Sequence, residues 1–132
     1  MDTILNNTNY FYRNAIITKQ NNKVALIDID QVQNITALDD WLGIVVSLAD
    51  GHHTIKELVE YMSHQYNKAP DNLELTIHSA LNRLIDGNIV RLSAEKVELP
   101  YYLSAPIEDL DIEKARKLIK EDGYHFSEND QS

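Results

Sequence analysis

The tetrad "TIKE" at residues 54–57 constrains this chain more than any other short stretch. Its T-x-x-E spacing is that of a capping box: Thr54 accepts from an amide in the first turn of a helix, and Glu57 reaches back to the cap's own N–H. Behind it Ile55, Leu58, Val59, Met62 and Tyr66 fall on one stripe, which predicts an amphipathic helix. Ahead of it runs "WLGIVVSLADG", apolar nearly all round, as a central helix must be. Gly51 is expected to end that helix in the left-handed conformation, with "GHHT" as the turn. A helix end, a sharp turn and a new helix read as a helix–turn–helix unit.

The rest of the chain dresses that pair. "YFYRNAIITK" at 10–19 is aromatic and β-branched and predicts a strand, with "QNNK" at 20–23 as a turn. "VALIDID" at 24–30 alternates, placing Ala25, Ile27 and Ile29 on one face and Val24, Leu26, Asp28 and Asp30 on the other. "VQNIT" at 32–36 is a short third strand. Thr36 is expected to cap the first helix, with Asp39 in its first turn. Asp71 is expected to open a third helix whose core face holds Leu73, Ile77, Ala80 and Leu84, and Gly87 to stop it. "NIVRLS" at 88–93 reads as a last strand or an extended exit. A linker, "AEKVELPYYLSAP", leads to an amphipathic helix over 107–122 with Leu110, Ala115, Leu118 and Ile119 on one face; 123–132 are expected to fray. These elements predict an α+β, winged helix–turn–helix-like domain over 1–93. It has a three-stranded antiparallel sheet followed by three helices, and 94–132 form a C-terminal helical extension. That extension is too short to be stable alone and is expected to dock on its own domain or on a second copy.

Charge narrows the partners. The chain carries 21 acidic residues against 12 basic ones, a net charge of −9. Phosphate backbones attract basic faces, so this balance disfavours nucleic acid. The third helix, where a DNA reader would place its contacts, holds Asp71, Glu74 and Asp86 against the single Arg83. No secretory signal and no membrane-spanning apolar run is present, and there is no cysteine, which makes the cytoplasm the expected compartment. His52, His53, His64, His78 and His125 show no metal-ligand spacing. There is no glycine-rich phosphate loop and no nucleophile elbow. No catalytic residue, metal or cofactor is expected, and Asp28 and Asp30 are taken as the wet face of a strand.

Helix three is lopsided. With Leu73 at 0°, Leu81 and Ile85 lie at about 80° and 120°, while Glu74, His78 and Asn82 lie at about 100°, 140° and 180°. The extra apolar flank either packs on the sheet or lines a groove, with His78 and Asn82 at its outer wall.

From about 24 to 92 the chain resembles the PqqD-like family, the leader-recognition domains of ribosomally made, post-translationally modified peptide pathways. The resemblance is carried by "VALIDID", by "NIT" before the first helix, by "LADGHHTIKELVEYMSHQY" and by "LNRLIDGNIV". It implies three antiparallel strands and three helices. It also implies a non-catalytic adaptor that binds a precursor's leader by strand addition and presents it to a modifying enzyme. That enzyme would be a radical SAM maturase or a leader peptidase and cyclase. Carried onto this sequence, the leader would pair with Val32, Gln33, Asn34 and Ile35 and lie against Glu74, His78, Leu81, Asn82 and Ile85 of the third helix. A homodimer stays open. The rival readings are a DNA-binding winged-helix regulator and an interaction subunit that docks through 107–122.

Overall fold

The computed structural model describes residues 6–124, with every side chain in that range except that of Val32. The expected fraying at 125–132 lies outside these residues. The fold is mixed α+β, with two small antiparallel sheets and four helices. This differs from one sheet followed by three helices.

The difference begins in the run 10–19. It forms two strands, β1 (Tyr10–Arg13) and β2 (Ile17–Gln20), in different sheets. At the break the Arg13 and Asn14 N–H groups donate to Ala49 O and Ile89 O, each at 2.7 Å. The buried Ala15 and Ile16 carry the chain across. β2 turns into β3 (Lys23–Asp28) through Asn21 and Asn22, both at positive φ (54° and 65°). That geometry matches the twist of the strands, and asparagine tolerates it. A second two-residue loop leads to β4 (Gln31–Ala37), with the Asp30 N–H donating to Asp28 Oδ1 at 2.9 Å. This sheet runs β2-β3-β4.

Thr36 lies in β4 opposite Leu26 and caps nothing. Pairing with β3 runs on to Ala37, so α1 (Asp40–Leu48) starts later than expected. Asp39 holds the cap position without a side-chain bond. "GHHT" is likewise no turn: it lies in β5 (Asp50–Thr54), which pairs with β1. Gly51 does take a positive φ (84°), but inside this strand and not as the end of α1. A Cβ there would sit 2.3 Å from Val97 O, so close approach of the exit segment also demands glycine.

The capping box forms as expected. The Glu57 N–H donates to Thr54 Oγ1 at 3.2 Å, and the Thr54 N–H donates to Glu57 Oε1 at 2.8 Å. It opens α2 (Ile55–Tyr66), which Asn67 ends in the left-handed conformation. α3 (Pro70–Asp86) is opened by Pro70 and not by Asp71, a first-turn position where proline's missing N–H costs nothing. Gly87 follows at an ordinary φ of −82°, and Asn88 takes the left-handed step. β6 (Val90–Ser93) then completes a second sheet in the order β5-β1-β6.

The main core lies among α1, α2, α3 and the strands, with Phe11, Val45, Leu58, Met62, Ile77 and Leu81 at its centre. The extension builds a second core. A 3-10 turn at Tyr101–Leu103, another at Ile107–Asp109 and α4 (Ile112–Asp122) follow the linker. Tyr102, Leu103 and Ala115 are buried against Ile16 and Ile29. β3 is therefore apolar on both faces. Val24 and Leu26 enter the main core, and Ile27 packs toward the extension. Among the described residues, no helix is long and apolar enough to cross a membrane.

Candidate functional site

The β2-β3-β4 sheet has two edges, and the fold treats them differently. On the β2 side Glu108, from the second 3-10 turn, accepts from the Lys19 N–H at 3.0 Å, from Thr18 Oγ1 and from Gln20 Nε2 at 3.5 Å. Desolvation works against its charge, but the bonds from Thr18 and Lys19 outweigh it and hold the carboxyl below its ordinary value. This edge is capped. On the β4 side, no strand among the described residues pairs with the outer edge. In the other sheet the outer edge of β5 is met by the exit segment, whose Val97 N–H donates to Gly51 O at 3.0 Å.

β4 is not a uniform template. Its register with β3 runs Ala25↔Ala37, Leu26↔Thr36 and Ile27↔Ile35, then jumps to Asp28↔Gln31. Residues 32–34 therefore bulge from the ladder, as edges that resist unwanted pairing often do. Within them Gln33 and Asn34 are exposed, and Asn34 Nδ2 donates to Gln31 Oε1 at 2.6 Å. The Val32 side chain lies outside the described residues. The regular, open stretch is Ile35–Ala37. Ile35 is 50% exposed although it sits opposite Ile27, whose face is covered by the extension.

Beside this stretch is a cleft of about 470 Å³. Ile27, Asp28 and Asn34 line it from the sheet, Ile29 from the β3–β4 loop, Ile119 from α4 and Tyr124 from just beyond it. Tyr124, expected in a frayed tail, donates its hydroxyl to Asn14 O at 2.6 Å and packs on the Tyr102 ring at 5.0 Å. Burial pushes the Tyr124 hydroxyl up from its ordinary value. Burial and the bond to Asp122 push Tyr102 up to about 12.

The α3 residues expected to face β4 lie elsewhere. α3 packs chiefly on α2 and β6 and lines no part of this cleft. Leu81 is fully buried in the main core, and Ile85 packs half-buried against that core. His78 and Asn82 do not form an exposed outer wall, since both are buried. Asn82 Nδ2 donates to His78 O at 2.9 Å, a bond along the helix. Asn7 reaches over from the N-terminal segment: its Oδ1 is 2.7 Å from His78 Nε2, and its Nδ2 donates to Glu74 Oε1 at 2.8 Å. An amide oxygen only accepts, so Nε2 carries the proton. The expected site thus divides into an open edge with a cleft at β4 and a closed polar cluster on α3.

The histidines of "GHHT" each meet a carboxylate. His53 Nδ1 meets Asp50 Oδ1 at 2.9 Å, and His52 Nε2 meets Glu98 at 2.8 Å. Burial opposes the Asp50 charge, but the His52 N–H and the His53 ring outweigh it and lower the pKa. Among the described residues, no group of three or more His, Asp or Glu side chains is placed to hold a metal ion. Alternation along 24–30 was a signal for Ile27, Ile29 and Asp28, and the 107–122 stripe contained Ile119. Nothing local joined the two. No protein-family model, no curated protein and no solved structure matches this chain.

Proposed function

We propose that this protein is a non-catalytic, cytoplasmic adaptor that binds the leader of a ribosomally made precursor peptide by strand addition and presents it to a modifying enzyme. In this reading α1, α2 and α3 serve as a winged-helix-like scaffold, not as a DNA reader. One observation carries the proposal. The sheet that the resemblance singles out is capped on β2 by Glu108, whereas β4 presents an exposed edge with Ile35 half out of the surface. An edge of this kind supplies main-chain bonds for affinity and side-chain pockets for specificity.

In this reading the bulge at 32–34 shifts the leader. Its backbone pairs with Ile35–Ala37, beyond the bulge, and not along all of 32–35. The DNA-reading alternative has less support. Among the exposed residues of α3, Asp71 and Asp86 outnumber Arg83.

The test starts from the neighbouring genes, where a short precursor reading frame beside a maturase is expected. Calorimetry of the full chain with that precursor should show binding, and amide exchange should slow at 35–37. A folded protein that leaves every nearby precursor unbound removes the adaptor reading. Incubating the chain and precursor without a maturase should leave the peptide's mass unchanged, and a shift dependent on this protein alone would make it an enzyme.

A further inference from the structure

We infer that the C-terminal extension forms one wall of the peptide site, and that the site selects an extended segment bearing a large apolar side chain followed, toward its C-terminus, by Lys or Arg. The inference rests on strand addition at β4 and goes beyond it by naming the recognised chemistry. Ile35 and Ile27 are directly opposite and share a face, the one on which Ile27 packs toward the extension. A strand added outside β4 would turn alternate side chains to that face. There the cleft offers Ile27 and Ile29 beneath and Ile119 and Tyr124 beyond, in a volume ordinary for a ligand cleft. An apolar anchor fits it.

The rim sets the charge. Asp28 ends β3 and Asp30 lies in the β3–β4 loop. Asp30 has a cation already, Arg116 Nε at 3.6 Å, and Arg116 also donates to Ile29 O at 3.0 Å. Asp28 accepts the Asp30 N–H, and no Lys, Arg or His pairs with it among the described residues. Asp28 is exposed and is one of the residues that line the cleft, so a cation is the complementary group. Antiparallel addition is the more stable pairing per residue. It runs the peptide from Ala37 toward Gln31, which places the basic residue C-terminal to the anchor.

The full chain is used to select from displayed random-sequence peptides, and winners are titrated against the wild type, Asp28→Asn and Ile119→Ala. Asparagine keeps the Oδ1 acceptor of the loop, so D28N retains the turn. Winners should share an apolar residue followed by Lys or Arg and should slow exchange at 35–37. D28N should weaken them about fivefold to tenfold, and a peptide with its basic residue changed to Ala should bind both proteins alike. I119A, folded by its melting curve, should weaken binding about tenfold. Peptides that protect 35–37 but ignore both substitutions overturn this inference and leave strand addition standing. If no peptide protects 35–37, strand addition fails and this inference fails with it. A dimer in sedimentation with those amides already protected gives the edge to a second copy and also overturns the inference.

Discussion

Arg13 is a charged side chain only 4% exposed, and it binds carbonyls in place of a carboxylate. Its Nη1 donates to Val46 O (3.1 Å) and Ser47 O (3.2 Å) at the end of α1, and its Nε donates to Leu103 O (2.8 Å) in the extension. Burial lowers its pKa and the Asp50 charge opposes that, but a guanidinium stays protonated in either case. A cation at a helix's negative end is favourable, and each carbonyl left behind would be orphaned in the interior. Arg13→Met is expected to cost about 2–3 kcal/mol in chemical denaturation. Arg13→Lys should recover little, because one ammonium cannot span α1 and Leu103 together. Thr54 is the simpler case. Thr54→Ala should cost about 1 kcal/mol. The bond from the Thr54 N–H holds the Glu57 pKa below its ordinary 4.5. A depressed carboxylate stabilises fully above its unfolded value, so this contribution is present above pH 4.5 and is lost as pH falls through the lower folded value. Denaturation of Glu57→Gln and wild type across that range should show the two converge in acid. Thr54 was legible because a capping box is local. Arg13 was not, because its acceptors lie 33 to 90 residues away.

β4 offers more, and α3 less, of an open peptide surface than the sequence suggests. β4 is polar and reads as a weak strand, yet among the described residues it is the longest strand, because it pairs with β3 on both sides of its bulge. Ile35→Lys places a charge on a half-exposed edge, which edges tolerate. It should leave the melting temperature nearly unchanged while weakening peptide binding about tenfold by calorimetry. α3 behaves in the opposite way. Leu81 and Ile85, its second apolar flank, pack on the main core. Ile85→Asp is therefore expected to act on stability, by about 1–3 kcal/mol in denaturation. A folded, equally stable Ile85→Asp protein with impaired binding would return the groove to α3. Helical angles place residues on a circle, but they do not say which arc meets the core and which meets a neighbour.

At the scale of the molecule, the extension is part of the fold. It buries Tyr102 and Leu103, covers the outer face of the β2-β3-β4 sheet and caps that sheet's β2 edge. Cutting the chain after Ala94 should expose Ile16, Ile27 and Ile29. It should cost roughly 2–4 kcal/mol, given what burying a large apolar side chain contributes and what ordering the tail opposes. An unchanged melting temperature would show that the tail only rests on the surface. The amino-acid sequence alone determined the α+β composition, the helices and the capping box. It also determined the asparagine turn at 21–22 and the need of an amphipathic tail for a dock. These depend on propensities and periodicities within a few residues. Tertiary structure alone decided that the run 10–19 divides between two sheets, that "GHHT" extends as a strand against β1, and that the end of α4, not α3, lines the cleft at β4. Each depends on backbone groups and apolar faces far apart in the chain finding one another, and a uniformly β-prone run or a lopsided helix is compatible with several such partners until the packing chooses one.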